Sequence, residues 1–306
     1  GASYDEPRPW LSLGKPEGQK GVKMKAGDAL VYALKLTSKT DIDQNIKLKV
    51  TGASLPAGWS AKIVADGVEY SDSASVQLLA NAEKEVSFKI SGANGSIANT
   101  KYSFKVQANS ETIYPSVKNT LDFTAITPSN ILLMDLAGTA TTRFNQVFTA
   151  LSESALSLNA VEAADLDSAG INATTVGKLF YTTGAAYSGT LGEYKSQTFM
   201  NYLNSGGRMV IMGQDIGYDL AQGSDASSDE FFADYMGAEY LADGSTATVT
   251  LAKNPEDTIC APFFPTNLTL SGTGSYPEHL AVSGTAANAV GFLEYSDGDF
   301  GAIYNK

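Results

Sequence analysis

Between Leu30 and Phe123 apolar residues recur at every second position, and that period limits what this part of the chain can become. Leu30, Tyr32, Leu34 and Leu36 form one such series. Ile46, Leu48 and Val50 alternate with Lys47 and Lys49, and Val86, Phe88 and Ile90 with Ser87 and Lys89. Tyr102, Phe104 and Val106 do the same around Ser103 and Lys105, and Leu121 and Phe123 close the series. Successive side chains of a strand point to opposite faces, so this spacing sends one face to a core and the other to water. Turn-forming clusters at 53–58 and 91–96 separate the runs, with no helical period between them. The pattern predicts an N-terminal antiparallel β-sandwich over residues 1–127.

The period then changes. Thr127-Pro128-Ser129-Asn130 reads as a linker, because proline continues neither kind of element well. Ile131-Leu132-Leu133-Met134, Leu179-Phe180-Tyr181 and Met209-Val210-Ile211-Met212 are short continuous apolar runs, expected of strands covered on both faces. Between them, Phe144, Val147, Phe148 and Leu151 fall on one helical face, as do Phe199, Tyr202 and Leu203. Gly206-Gly207 offers a left-handed cap to the second of these helices. Ser227 and Glu230 have capping-box spacing ahead of Phe231, Phe232, Tyr235 and Met236, with Gly237 to end that helix. Strand and helix in alternation predict a doubly wound, flavodoxin-like α/β domain over 128–306. Extra β structure is expected at its C-terminal end, from Thr246–Leu251, Ala289–Leu293 and Phe300–Tyr304. The chain stops just after that last run, so the domain is expected to continue beyond Lys306.

At 306 residues, with 43% hydrophobic content, the chain is long enough for two domains, each with a core. A net charge of −12 repels phosphate backbones and anionic headgroups, which argues against nucleic acid as a partner. No apolar run has the length of a membrane-spanning helix, so no membrane insertion is expected. The single cysteine, Cys260, excludes an intrachain disulfide and a cysteine cage, and in its apolar setting it reads as a buried, inert thiol. The single histidine, His279, would have to serve any triad. Gly1-Ala2-Ser3-Tyr4 lacks a signal-peptide pattern and reads as a mature end after processing or as a cloning remnant. With the glycosylation sequons at Asn94, Asn172 and Asn267, it suggests an extracellular or cell-surface setting.

In a doubly wound sheet, ligands bind at the carboxyl ends of the strands. The residues expected there are Asp135, Thr183, Gln214, Asp215, Tyr218 and Asp219, a candidate ligand pocket. No catalytic residue, no metal site and no cofactor is assigned. The chain lacks a Gly-x-Ser-x-Gly elbow, a P-loop and a Gly-x-Gly-x-x-Gly turn. Asp41-Ile42-Asp43 starts like an EF-hand loop but lacks its later glycine and glutamate. Asp297-Gly298-Asp299 reads first as a hairpin turn, although it offers oxygens to a calcium ion.

Two resemblances add to this reading. Leu55-Pro56-Ala57-Gly58-Trp59, after a strand and a polar turn, resembles the Leu-Pro-x-Gly-Trp signature of the Ig-like (NEW3-type) modules of bacterial secreted hydrolases. Such modules space or dock, and Trp59 is expected to fill an edge of the core. Gly207 to Gly217 resembles the strand-and-elbow turn of class I glutamine amidotransferase-like domains, where Gly-x-Cys-x-Gly carries the nucleophile. Here the pattern is Gly213-x-Asp215-x-Gly217, and no His-Glu pair follows. A carboxylate is a far weaker acyl-transfer nucleophile than a thiolate, so the resemblance implies the fold without the activity. The longer string 213–238 is similar to a recurrent module of large secreted bacterial proteins. The expectation is therefore a non-catalytic structural or interaction segment of a secreted or surface protein. Its partner would be another protein or the downstream part of the same polypeptide. A glycan-binding or adhesin role, suggested by the 15 tyrosines, is one alternative. A hydrolase using Asp135 and Asp215 is another.

Overall fold

The computed structural model describes residues 10–24, 29–51, 55, 58–92, 101–136, 158–162, 166–167, 170–184, 186–244, 248–255, 257–263, 267–271 and 277–306. The helix expected over 144–151 and the sequon at Asn94 lie outside the described residues. The chain divides into two compact units, residues 1–130 with 157–175, and residues 131–156 with 176–306.

The first unit is a β-sandwich. One sheet has the order β1 (Leu11–Gly14), β3 (Leu30–Ser38), β8 (Glu83–Ser91), β5 (Ser60–Ala65), β6 (Val68–Tyr70). The other has the order β2 (Val22–Met24), β10 (Asn119–Ile126), β9 (Lys101–Ser110), β4 (Gln44–Thr51), β7 (Ser73–Leu78). The alternation decides which face is buried: Tyr32, Leu34 and Leu36 of β3 are fully buried, whereas Val31, between Leu30 and Tyr32 on the opposite face, is exposed. Among the described strands of the two sheets, pairing is antiparallel except between β2 and β10, which run parallel. Four rings close the core, with Tyr32 edge-on to Phe123 at 5.0 Å and Phe88 against Phe104 at 4.6 Å. The Tyr32 hydroxyl donates to the Thr124 carbonyl at 2.8 Å, so the one polar atom of the cluster is satisfied. Truncating Phe88 or Phe104 to alanine would cost about 3–5 kcal/mol. Trp59 packs half-buried at the margin of this core, 5.2 Å from the Tyr102 ring and against Gly92, where a Cβ would meet the indole at 2.7 Å.

The segment 157–175 returns to this unit. It carries β12 (Leu158–Glu162) and places Leu166 beside Val22 in a parallel bridge. Lys23 lies 3.6 Å from Asp167. Ser129 donates to the Thr175 carbonyl at 3.0 Å. The expected linker is only two residues long, since β10 ends at Ile126 and β11 (Ser129–Asp135) begins at Ser129.

In the second unit β11, β13 (Val176–Gly184) and β14 (Met209–Gly213) lie side by side in that order. β13 and β14 pair in parallel and are joined by α1 (Glu193–Asn204), a β-α-β crossover. Ile131 to Met134 are all buried, as the continuous apolar run requires. Phe199 and Tyr202 pack inward from α1, and Gly206 takes a left-handed φ of 90° past its end. β14 departs from expectation. It is the last strand of its sheet, and Val210 is 45% exposed, so this apolar run is an edge and not a covered strand.

After β14 come α2 (Ile216–Ala221) and α3 (Ala226–Glu230), and α3 widens directly into a π-turn over Phe231–Tyr235. The cap of α3 is Asp225, not Ser227: its carboxylate accepts from the Ser228 N–H at 2.9 Å and the Ser228 hydroxyl at 2.7 Å. Gly237, with φ 72°, ends the segment as its position suggests. The rest of the unit is a six-stranded sheet with the order β15 (Ala238–Asp243), β18 (Glu278–Val282), β20 (Phe300–Tyr304), β19 (Val290–Glu294), β16 (Thr248–Lys253), β17 (Asn267–Ser271). All of its described pairings are antiparallel. This β structure is larger than the strands that adjoin the crossover, so α/β character covers only part of the region assigned to it from sequence.

Candidate functional site

The strand ends meet at a tight turn. Thr183 is buried near the end of β13, with its hydroxyl 3.5 Å from the Gln214 carbonyl oxygen. A Cβ at Gly213 would run into the Thr183 hydroxyl, so this approach of the two strand ends needs glycine at 213. The backbone then reverses at Asp215, whose φ of 58° and ψ of 28° are left-handed. That conformation costs a residue with a Cβ about 1 kcal/mol or more. The strand-to-helix turn at 213–217 is thus left-handed at Asp215, and a carboxyl group stands at its apex.

The apex is closed. Asp215 is 6% exposed. Burial raises its pKa above the usual carboxylate range, and the nearby Asp243 charge adds to this, while a hydrogen bond with the Gln214 side chain opposes it. Asp243 ends β15, in register with Glu278 at the start of β18. Glu278 is pushed up to about 7, first by burial and then by the charges of Asp215 and Asp243, against the hydrogen bond it accepts from the Tyr218 N–H at 2.7 Å. A Cβ at Gly217 would sit 3.0 Å from Tyr240 and 3.3 Å from Glu278 Oε1, so a second glycine lets α2 lie against this sheet. Tyr240, whose ring is 6.4 Å from that of Tyr218, is pushed up to about 12 by burial and by Asp243. Three like-charged carboxyls thus share a corner poor in water, and two of them hold their protons more tightly than usual.

Of the six residues expected here, Thr183, Gln214 and Asp215 adjoin at the turn. Tyr218 joins them through its backbone N–H and ring. Asp219 is engaged elsewhere. Its carboxylate accepts from the Gly189 N–H at 3.1 Å, the Thr190 N–H at 2.8 Å and the Thr190 hydroxyl at 2.7 Å, which fixes the loop ahead of α1. Asp135 ends β11, but its side chain lies outside the described residues. Asp243, Glu278 and Tyr240 were not foreseen. They lie well downstream of the elbow and reach it only through the β15–β18 pairing, which no local motif announces.

Beyond α2 an open groove of about 580 Å³ runs between α2, the π-turn, β15 and the loop 283–285, and none of the six expected residues lines it. Elsewhere in this unit, His279 Nδ1 lies 3.0 Å from Asp299 Oδ2 and 3.3 Å from Asp297 Oδ2, with its ring stacked on Tyr295 at 4.3 Å. These three donors can pair as acid and base or face a cation. The Asp297–Asp299 segment is the turn of the β19–β20 hairpin, with Gly298 at φ 95°. Cys260 is half-buried, not buried as expected, and burial together with Asp257 raises its thiol pKa away from the reactive thiolate. No helix among the described residues is long and apolar enough to cross a membrane.

No protein-family model matches this chain, and no curated protein matches it. Solved structures show partial likenesses. The N-terminal domain of PorA is 8% identical, with 38% of this chain and 96% of that one covered at a TM-score of 0.29. A FixG-related protein from Vibrio parahaemolyticus is 10% identical, covering 38% and 94% at 0.26. The CooA pilin subunit from enterotoxigenic Escherichia coli is 11% identical, covering 39% and 99% at 0.27. Scores this low carry no argument, and the sandwich is read from its own strand pairing.

Proposed function

We propose that this chain is a non-catalytic structural or interaction segment of a larger secreted or cell-surface protein. The first unit is an Ig-like spacer or docking module, and the second is a degenerate amidotransferase-like unit. The parallel β13–α1–β14 crossover and the left-handed Asp215 between Gly213 and Gly217 support the second assignment. The observation that carries the functional reading is the closed apex. The residue at the nucleophile position is a buried carboxyl with a raised pKa, and Asp219 beside it is consumed by three structural hydrogen bonds.

One observation favours a second reading, carboxylate-dependent hydrolysis. Asp215 and Glu278 are coupled acids with raised pKa values, a feature common at catalytic sites. A single experiment separates the two. Chromogenic amide, ester and glycoside substrates are incubated with the full chain and with Asp215→Asn. The non-catalytic reading predicts no turnover that depends on Asp215. Reproducible turnover abolished in Asp215→Asn would replace it with the hydrolase.

A further inference from the structure

The negative charge of the chain is not shared between its units. The first unit holds fifteen Lys and Arg against sixteen Asp and Glu, a net of −1. The second holds six against seventeen, a net of −11. Among the described residues every lysine–carboxylate pair lies in the first unit: Lys23–Asp167, Lys35–Glu83, Lys62–Glu69, Lys84–Asp66, Lys89–Glu69 and Lys105–Asp122. The second unit has His279 beside Asp297 and Asp299.

The groove beside α2 concentrates this imbalance. Asp229, Glu230, Asp234 and Glu239 line it, all are exposed, and the lining contains no Lys or Arg. Among the described residues, the Asp229 and Asp234 carboxylates accept only from neutral hydroxyls, of Ser224 and Thr285. No ion pair reaches any of the four among the described residues. The floor between them is apolar, from Leu220, Ala221, Phe232 and Ala238. Phe232 is presented by the π-turn, a rare backbone form that concentrates at functional sites. A volume of about 580 Å³ suits a few side chains of a ligand.

We propose that this groove binds a basic, amphipathic segment of a partner protein, with lysine or arginine side chains on the four carboxylates and apolar side chains on the floor. Charge complementarity selects this occupant: a neutral apolar segment would leave four carboxylates partly desolvated and unpaired, and an acidic one would be repelled. The inference rests on the interaction reading above but uses a different surface from the elbow.

The test is fluorescence anisotropy with the full chain and a short fluorescein-labelled peptide carrying lysine and leucine at alternate positions. Glu230→Gln with Glu239→Gln should weaken binding by about tenfold or more, two charge-assisted contacts being lost. Ala221→Phe, which fills the groove and keeps every charge, should weaken it comparably. Asp41→Asn with Asp72→Asn removes two exposed carboxylates from the first unit and should change affinity less than about twofold. Acetylating the peptide lysines should abolish binding. Equal losses in the groove and control variants, binding indifferent to Ala221→Phe, or no saturable binding would overturn the proposal. So would self-association of the chain, seen by sedimentation and broken by the groove variants, because the occupant would then be a second copy. Turnover dependent on Asp215 would overturn the non-catalytic reading and leave peptide binding untouched, so the two failures are distinguishable.

Discussion

Asp219 was legible in the sequence as a carboxylate near a strand end, but its role was not. Three donors from 189–190 converge on it, and none of them is near it in sequence. Asp219→Ala should therefore act on stability. It leaves two backbone N–H groups unpaired and should lower the unfolding free energy by about 2–4 kcal/mol in urea titrations, with no effect on peptide binding in the groove. Glu278 was invisible as a site residue for the same reason: its partners Tyr218, Asp215 and Asp243 come to it through strand pairing. Its raised pKa has a definite sign. The folded protein holds this proton up to about 7, whereas the unfolded chain releases it near the ordinary value of 4.5. The folded state binds more protons between those values, so the contribution of Glu278 is full at acid pH and is lost as pH rises toward 7. Urea midpoints at pH 5 and pH 8 should show wild type losing about 1–3 kcal/mol more than Glu278→Gln over that interval. Equal slopes would place Glu278 in water.

Elements were legible where a period and a neighbour agreed. The strands of the sandwich follow from alternation because each has a partner on both sides or a sheet across the core. Apolar runs proved less reliable. Ile131–Met134 and Met209–Met212 look alike in sequence, yet the first is buried and the second is an edge, since continuous hydrophobicity says nothing about how many neighbours a strand will find. The start of α3 shows a finer ambiguity. Ser227 and Glu230 have capping-box spacing, but Asp225 makes the bonds, because a charged acceptor two residues earlier reaches the Ser228 N–H and hydroxyl together. Asp225→Ala should cost about 1 kcal/mol or more in thermal or chemical unfolding, and Ser227→Ala only a few tenths. The reverse order would restore the capping box.

For the whole molecule, composition gave the net charge but not its placement. The division of the chain into units turns −12 into one nearly neutral body and one strongly acidic body, and the acidic one carries both the elbow and the groove. What was legible at this scale was the change from period two to strand-helix alternation. What was not was the six-stranded sheet, three of whose strands, β15, β17 and β18, had no distinct signal. That sheet closes the elbow by bringing Tyr240, Asp243 and Glu278 against α2, and closure is why the turn is read as structure and not as chemistry. Carboxyl footprinting tests this most directly: the native chain is treated with a carbodiimide and an amine, and the modified peptides are mapped by mass spectrometry. A closed elbow predicts rapid modification of Glu230 and Glu239 and protection of Asp215 until the chain unfolds. Modification of native Asp215 at a rate comparable to theirs would mean an open apex and would contradict the non-catalytic account.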